Sequence, residues 1–165
     1  MFEKSIELLN KAIADELFAV HQYMYFHFLC DDMGYDLLAG LFKRTAIDEM
    51  LHVEKLAERI LFLKGDVEMK VGGEVEKIKD VAKMLEKAAN MEQESARDYN
   101  IWANESSANA DAMTKQIFEG LVADEERHFD QYDTEADNLK KFGDRYLALQ
   151  SIERSKNLSA AGRPL

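Results

Sequence analysis

Two short segments, "EMLH" at residues 49–52 and "EERH" at residues 125–128, each carry a carboxylate and an imidazole three positions apart. On a helix that spacing puts both side chains on one face, about one turn from each other. One Glu-x-x-His arises by chance in any acidic helix. Here Glu49 with His52 and Glu125 with His128 fall inside apolar stripes, and two further stripes carry a lone acid each, Glu16 and Glu92. Four carboxylates and two imidazoles make an oxygen-rich donor set that suits iron or manganese. The chain has a single cysteine, Cys30, which excludes the usual thiolate zinc sites.

Charge makes the same point. An ionised carboxylate buried without a partner is costly, and four in one place repel one another. The stripes offer no Lys or Arg at this level. Protonating several acids would leave the histidines without a purpose. Two divalent or trivalent metal ions answer both the charge and the geometry. The expected ligands are therefore Glu16, Glu49, His52, Glu92, Glu125 and His128.

These residues can converge only if the chain forms a bundle. Apolar residues recur every three or four positions over 3–32, 36–64, 79–107 and 111–141, the period of amphipathic helices. Each of the four glutamates lies about 13 residues into its helix. Midpoints of equal-length bundle helices share one level whichever way the helices run. The turns "MGY" at 33–35 and "ANA" at 108–110 are short and join antiparallel neighbours. The link at 65–78 can reach about 46 Å when extended, against about 42 Å for a 28-residue helix. It can travel the length of the bundle and bring the third helix parallel to the second. The expected fold is all-α: a ferritin-like four-helix bundle with one long crossover between helices two and three. A short fifth C-terminal helix is expected over 143–155. Residues 1–155 form the one domain, and 156–165 are expected to be a disordered tail.

Composition agrees. Of 165 residues, 47% are apolar and 32% charged, and the single proline, Pro164, lies near the end. The net charge of −11 argues against nucleic acid, which needs Lys and Arg clusters, and fits a cationic partner. No stretch approaches the roughly 18 apolar residues of a membrane span, and the first twenty residues carry acids throughout, unlike a signal peptide. A lone cysteine suits the cytoplasm, with Cys30 a small packing residue.

At "DELFAVHQYM", "AIDEMLHVEKLAERILFLKG" and "ADEERHFDQ" the sequence resembles the bacterioferritins, over about residues 3–153. The intervals from 16 to 49, 49 to 92 and 92 to 125 are also those of that family. The resemblance implies that Glu16 and His52 are terminal on one iron and Glu92 and His128 on the other, with Glu49 and Glu125 bridging. It implies two iron ions per subunit, oxidation of Fe2+ by dioxygen or peroxide, and a shell of 24 subunits storing ferric mineral. It further implies a haem shared across a two-fold axis, with Met50 of each subunit as axial ligand, and a reductase or ferredoxin partner for iron release. By position alone, Met50 is rotated about 100° from the metal face and caps an apolar contact between subunits. Tyr23, two turns after Glu16, reads either as an electron donor beside the centre or as a core tyrosine bonded to a ligand carboxylate. His21 and His27 have no assigned role beyond packing. One departure stands out: where some bacterioferritins use a histidine with an aspartate as an inner-surface iron site, this chain has Arg44 beside Asp48.

Other di-iron proteins fit less well. Rubrerythrin-type scavengers add a four-cysteine iron site. A ribonucleotide reductase small subunit is longer. The ligand set alone leaves manganese catalase open. Mini-ferritins bind iron between subunits and lack the doubled Glu-x-x-His.

Overall fold

The computed structural model describes residues 2–162. They form α1 (Glu3–Asp32), α2 (Asp36–Phe62), α3 (Val81–Ala108), α4 (Ala112–Phe142) and α5 (Asp144–Ala161), with no strand among the described residues. The first four helices lie within two residues of the expected bounds, because their stops are chemically marked. Gly34 takes φ +79° after α1, and Gly143 takes φ 57° between α4 and α5, conformations that favour glycine. Asp80 caps α3 by accepting from the Lys83 amide at 3.0 Å.

Asp111 caps α4 in the same way, accepting from the Thr114 amide at 3.1 Å. It also accepts from the Ser5 hydroxyl at 2.7 Å and from Arg59 at 2.7 Å. One buried carboxylate thus ties the ends of α1, α2 and α4 together. Burial works against its charge, but hydrogen bonds from Thr114, Ser5 and Arg59 hold its carboxyl below the ordinary range.

The crossover between Phe62 and Val81 lies along α1. Asn10 of α1 bonds the backbone of Asp66 and Glu68, the Gly72 amide donates to the Ala14 carbonyl at 2.8 Å, and Gln22 bonds both backbone groups of Glu76. The link therefore climbs α1 from start to end. α3 begins at the far end and returns antiparallel to α1 and parallel to α2. A Cβ at Gly72 would sit 2.8 Å from the Ala14 oxygen, so only glycine allows this approach.

α5 differs from expectation. The helix continues to Ala161, so Lys156–Ala161, expected to be disordered, are helical. Nothing between Asp144 and Ala161 is a glycine or proline, and Gly162 ends the helix. Arg154 anchors α5 to Asp31 at 3.2 Å and to Asp36 at 3.1 Å. Residues 163–165 of the expected tail lie outside the described ones.

Two apolar clusters fill the bundle. Tyr23, Phe26, Phe42 and Tyr132 centre one, and Leu9, Ile13, Leu56 and Phe118 the other. Full burial of side chains of this size is worth about 1.5–3 kcal/mol each. Cys30 packs in the first cluster, 3.8 Å from the Met84 sulfur, and burial pushes its thiol up to about 12. It is an inert packing residue.

Candidate metal centre

Between the two clusters lies a polar layer. Glu16 of α1, Glu49 and His52 of α2, Glu92 of α3, and Glu125 and His128 of α4 are all buried. Each sits at mid-helix on the inward face. The apolar clusters above and below leave these side chains no direction but toward each other.

They form two groups sharing two members. Glu16, Glu49, His52 and Glu125 offer ligand atoms within 4.8 Å of one another, and so do Glu49, Glu92, Glu125 and His128. Nδ1 of His52 lies 3.3 Å from Glu16, 3.0 Å from Glu49 and 3.0 Å from Glu125. Nδ1 of His128 lies 3.0 Å from Glu49, 3.6 Å from Glu92 and 3.9 Å from Glu125. Glu49 and Glu125 therefore face both positions, and Glu16 and Glu92 one each. All six residues expected from the sequence to hold metal meet in this layer.

The outward nitrogens are also held. Nε2 of His52 donates to Asp124 at 2.9 Å, and Nε2 of His128 donates to Asp48 at 2.9 Å. A carboxylate behind each imidazole fixes the ring and aims Nδ1 inward, the usual support of a metal-ligating histidine. Two tyrosines support the lone glutamates. The Tyr23 hydroxyl donates to Glu92 at 2.5 Å, and the Tyr99 hydroxyl donates to Glu16.

Sequence reasoning missed Tyr99 and Asp124 and left Asp48 without a partner. A signal for all three was present. Residues 16, 23, 48, 49 and 52 are Glu, Tyr, Asp, Glu and His, and the same types recur at one constant offset as 92, 99, 124, 125 and 128. The contacts cross between the halves: Tyr23 serves Glu92, Tyr99 serves Glu16, Asp48 serves His128 and Asp124 serves His52. An internal repeat whose members serve the opposite half produces a two-fold symmetric centre.

Without metal the centre is held by protons. Burial, then repulsion from Glu16, Glu92 and Glu125, pushes the Glu49 carboxyl well above the ordinary carboxylate range. Burial and the neighbouring Glu125 push Glu92 up to about 8. Glu125 goes the other way: burial and Glu16 oppose its charge, but hydrogen bonds involving Glu92, His128 and His52 hold it below the ordinary range. Burial would push the two imidazoles down, yet hydrogen bonds to Glu125 and the other facing glutamates push both upward. Protons stand where positive charge is required.

The donor set fits a metal pair on an independent ground. Oε1 of Glu49, Oε2 of Glu92, Oε1 of Glu125 and Nδ1 of His128 are buried and make no well-aligned hydrogen bond among the described residues, although Oε1 of Glu49 and Oε1 of Glu125 each lie 3.0 Å from a facing Nδ1. Buried polar atoms are normally paired. Four orphans converging on one layer are accounted for by cations.

Met50 points away from this centre. It is exposed on α2, as are Ile47 one turn before it and the adjacent Leu51, and these form an apolar patch at mid-helix. His21 is exposed, while His27 is half-buried with Nδ1 2.8 Å from the Ala39 carbonyl, a packing role.

The family model for the ferritin-like domain matches residues 6–142. Among characterised proteins, the chain is 39% identical over 145 residues to a bacterioferritin of Desulfovibrio desulfuricans, covering 88% of this chain and 81% of that one. It is 35% identical over 141 residues to a bacterioferritin of Brucella melitensis, covering 86% and 88%. Among solved structures, the X-ray structure of the Desulfovibrio desulfuricans bacterioferritin, which describes its di-iron site in different catalytic states, superposes with a TM-score of 0.88 at 38% identity. That match covers 90% of this chain and 86% of the other.

Proposed function

The chain belongs to the ferritin family, in its bacterioferritin branch, and from that membership we propose that it holds iron at the buried layer and oxidises it there for storage. The protein is an iron-storage ferroxidase, acting on Fe2+ at a di-iron centre within each subunit. The observation that supports this best is the pair of overlapping four-residue groups sharing Glu49 and Glu125.

In this reading Glu16 and His52 hold one ion, Glu92 and His128 the other, and Glu49 and Glu125 span both. A bound iron pair supplies two electrons to dioxygen or peroxide. The chain supplies the rest. Its carboxylates offset the charge of the ions and fix their separation before oxidant arrives, so little reorganisation is left for the reaction. The imidazoles give up the Nδ1 proton on loading and keep the Nε2 proton on Asp124 or Asp48. Glu49 and Glu92 release the protons that burial had kept on them, which links uptake to pH. The apolar clusters above and below exclude bulk water. In this reading Tyr23, bonded to Glu92 and packed against Phe42 and Tyr132, supplies an electron as well as holding the carboxylate.

The assembly belongs to the same proposal. Twenty-four subunits enclose the ferric mineral in a hollow shell, built from two-fold dimers with one haem between them. Met50 of each subunit would hold it, a reading supported by the exposed Ile47–Met50–Leu51 patch, which an isologous contact would cover. A haem held by two thioethers carries electrons at a raised potential. A reductase or ferredoxin partner would feed it to release iron. No helix among the described residues is long and apolar enough to cross a membrane. We place the protein in the cytoplasm, as a single domain that includes the whole of α5.

Particle mass together with aerobic Fe2+ oxidation tests this reading. The expected result is a shell of 24 subunits and oxidation far faster than in buffer. A stable monomer or dimer refutes storage, and an oxidation rate equal to that of buffer refutes the ferroxidase.

A further inference from the structure

The six residues of the centre are almost fully buried, but the carboxylates behind the two imidazoles are not. Asp124 is 37% exposed and Asp48 38% exposed. Asp48 is on α2 and Asp124 on α4, so on this face, the α2–α4 mouth, the two imidazoles stand between the partly exposed aspartates and the buried carboxylates. Across it lies Arg127. Its Nη2 is 3.5 Å from Asp48, 3.6 Å from Asp124 through the same guanidinium nitrogen, and 3.5 Å from Nε2 of His128. The groove continues beside it as a cavity of about 330 Å3 lined by Arg44, Thr45, Ile47, Asp48, Arg127 and Gln131. In a chain of net charge −11, the mouth nearest the buried carboxylates is lined by two arginines.

The distances decide what Arg127 does. At 3.5–3.6 Å, with half its side chain exposed, it is too loosely held to be a rigid clamp on either aspartate. It is a half-exposed positive charge set beside the imidazole of His128. Asp48 and Asp124 offset part of its charge, and Arg44, beside Asp48 in the same cavity, adds a second positive charge. On the opposite side of the bundle acids cluster: Asp15 of α1 feels Asp98 and Glu94 of α3, close to Glu16.

We propose that Arg127 is an electrostatic gate at the α2–α4 mouth, slowing passage of divalent cations between this groove and the di-metal centre. It acts on the ion through charge and not by touching the reacting atoms. The proposal rests on the metal-centre assignment above. It predicts that the charge at position 127, and not the shape of the side chain, sets how fast and how tightly a cation loads.

Co2+ is a suitable probe, because its visible absorption reports binding without oxidation. The assembled protein is freed of metal by chelation and mixed rapidly with Co2+ at low and high salt. Arg127→Lys should load as the native protein does. Arg127→Gln should load about threefold faster at low ionic strength and Arg127→Glu about tenfold faster, with tighter apparent affinity in the same order. The differences should shrink toward unity at high salt, where the screening length falls to a few ångströms. Thermal melts of the metal-free variants should match the native protein, since position 127 is half exposed.

Loading rates and affinities that do not follow charge overturn the gate. So does Arg127→Lys weakening binding as much as Arg127→Gln, which would mark a positioning residue. A native protein that develops no bound-Co2+ band removes the centre itself and the gate with it. A band that appears equally fast and equally tightly in all variants leaves the centre standing and removes only the gate.

Discussion

Asp48 on α2 accepts a hydrogen bond from Nε2 of His128 on α4 at 2.9 Å. The mirror contact, His52 of α2 to Asp124 of α4, has the same length. Each helix thus supplies the carboxylate that steadies the other helix's imidazole. Outer partners of this kind typically change metal affinity by about 10–100-fold. Asp48→Asn and Asp124→Asn should each lower Co2+ or anaerobic Fe2+ affinity within that range, with the subunit fold unchanged by circular dichroism. Native affinity in both variants would mean that the rings are held by packing alone.

The overlap of the two groups makes a prediction about stoichiometry. Glu16 and Glu92 each face one position, whereas Glu49 and Glu125 face both. Glu16→Ala or Glu92→Ala should leave roughly one tight ion per subunit, and Glu49→Ala or Glu125→Ala should abolish tight binding of both. Calorimetric titration with Co2+ separates these outcomes. His128→Ala should slow the fast phase of Fe2+ oxidation by about 100-fold, since one ion would be displaced from its partner. One remaining ion in all four glutamate variants would show that no residue is shared.

The fold and all six candidate ligands were legible because each rests on a local rule. The helices announce themselves by period, and Glu-x-x-His by its place in an apolar stripe. The crossover was legible from link length alone, since only a chain able to span the bundle permits that topology. Asp48, Asp124 and Tyr99 were not, because their contacts join elements far apart in sequence, and each residue type is ordinary on a helix. The constant offset between the two halves carries that information, but only once the halves are known to face each other. The extension of α5 was missed for a different reason. Its polar, weakly amphipathic sequence looks like a tail, and what orders it is Arg154 meeting Asp31 and Asp36.

Met50 and the metal centre share one helix but face opposite ways, so they should be separable by mutation. Protein produced with ample haem and iron should show a Soret band, and Met50→Leu should lose it or shift it strongly. The exposed position of Met50 leaves the buried layer undisturbed, so Fe2+ oxidation in Met50→Leu should continue at close to the native rate. A Soret band unchanged by Met50→Leu would place the haem elsewhere. Loss of oxidation in the same variant would tie the two sites together more tightly than the geometry suggests.

Proton binding by the buried ligands gives the stability of the metal-free protein an unusual pH dependence. Glu49 and Glu92 have folded-state pKa values above their unfolded value, Glu92 at about 8 against 4.5. Both histidines are raised above 6.5 as well. A group raised on folding contributes stability that is fully present below its unfolded pKa and is lost as pH rises through the folded one. For Glu92 the loss runs from about pH 4.5 to about 8, and for the histidines it begins near 6.5 and continues upward. Glu125, which is lowered, contributes stability that is fully present above the ordinary carboxylate range and is lost only as pH falls below it, so it leaves the trend from pH 5 upward unchanged. The metal-free protein should therefore melt at progressively lower temperature from pH 5 to pH 9. Metal loading should reverse the trend, because ions take the place of protons and bind more tightly as pH rises. Scanning calorimetry of the metal-free and Co2+-loaded protein across that range tests both halves. A metal-free melting temperature that stays flat or rises with pH would mean that the buried carboxylates are not kept protonated, and that the empty centre finds its compensating charge in some other way.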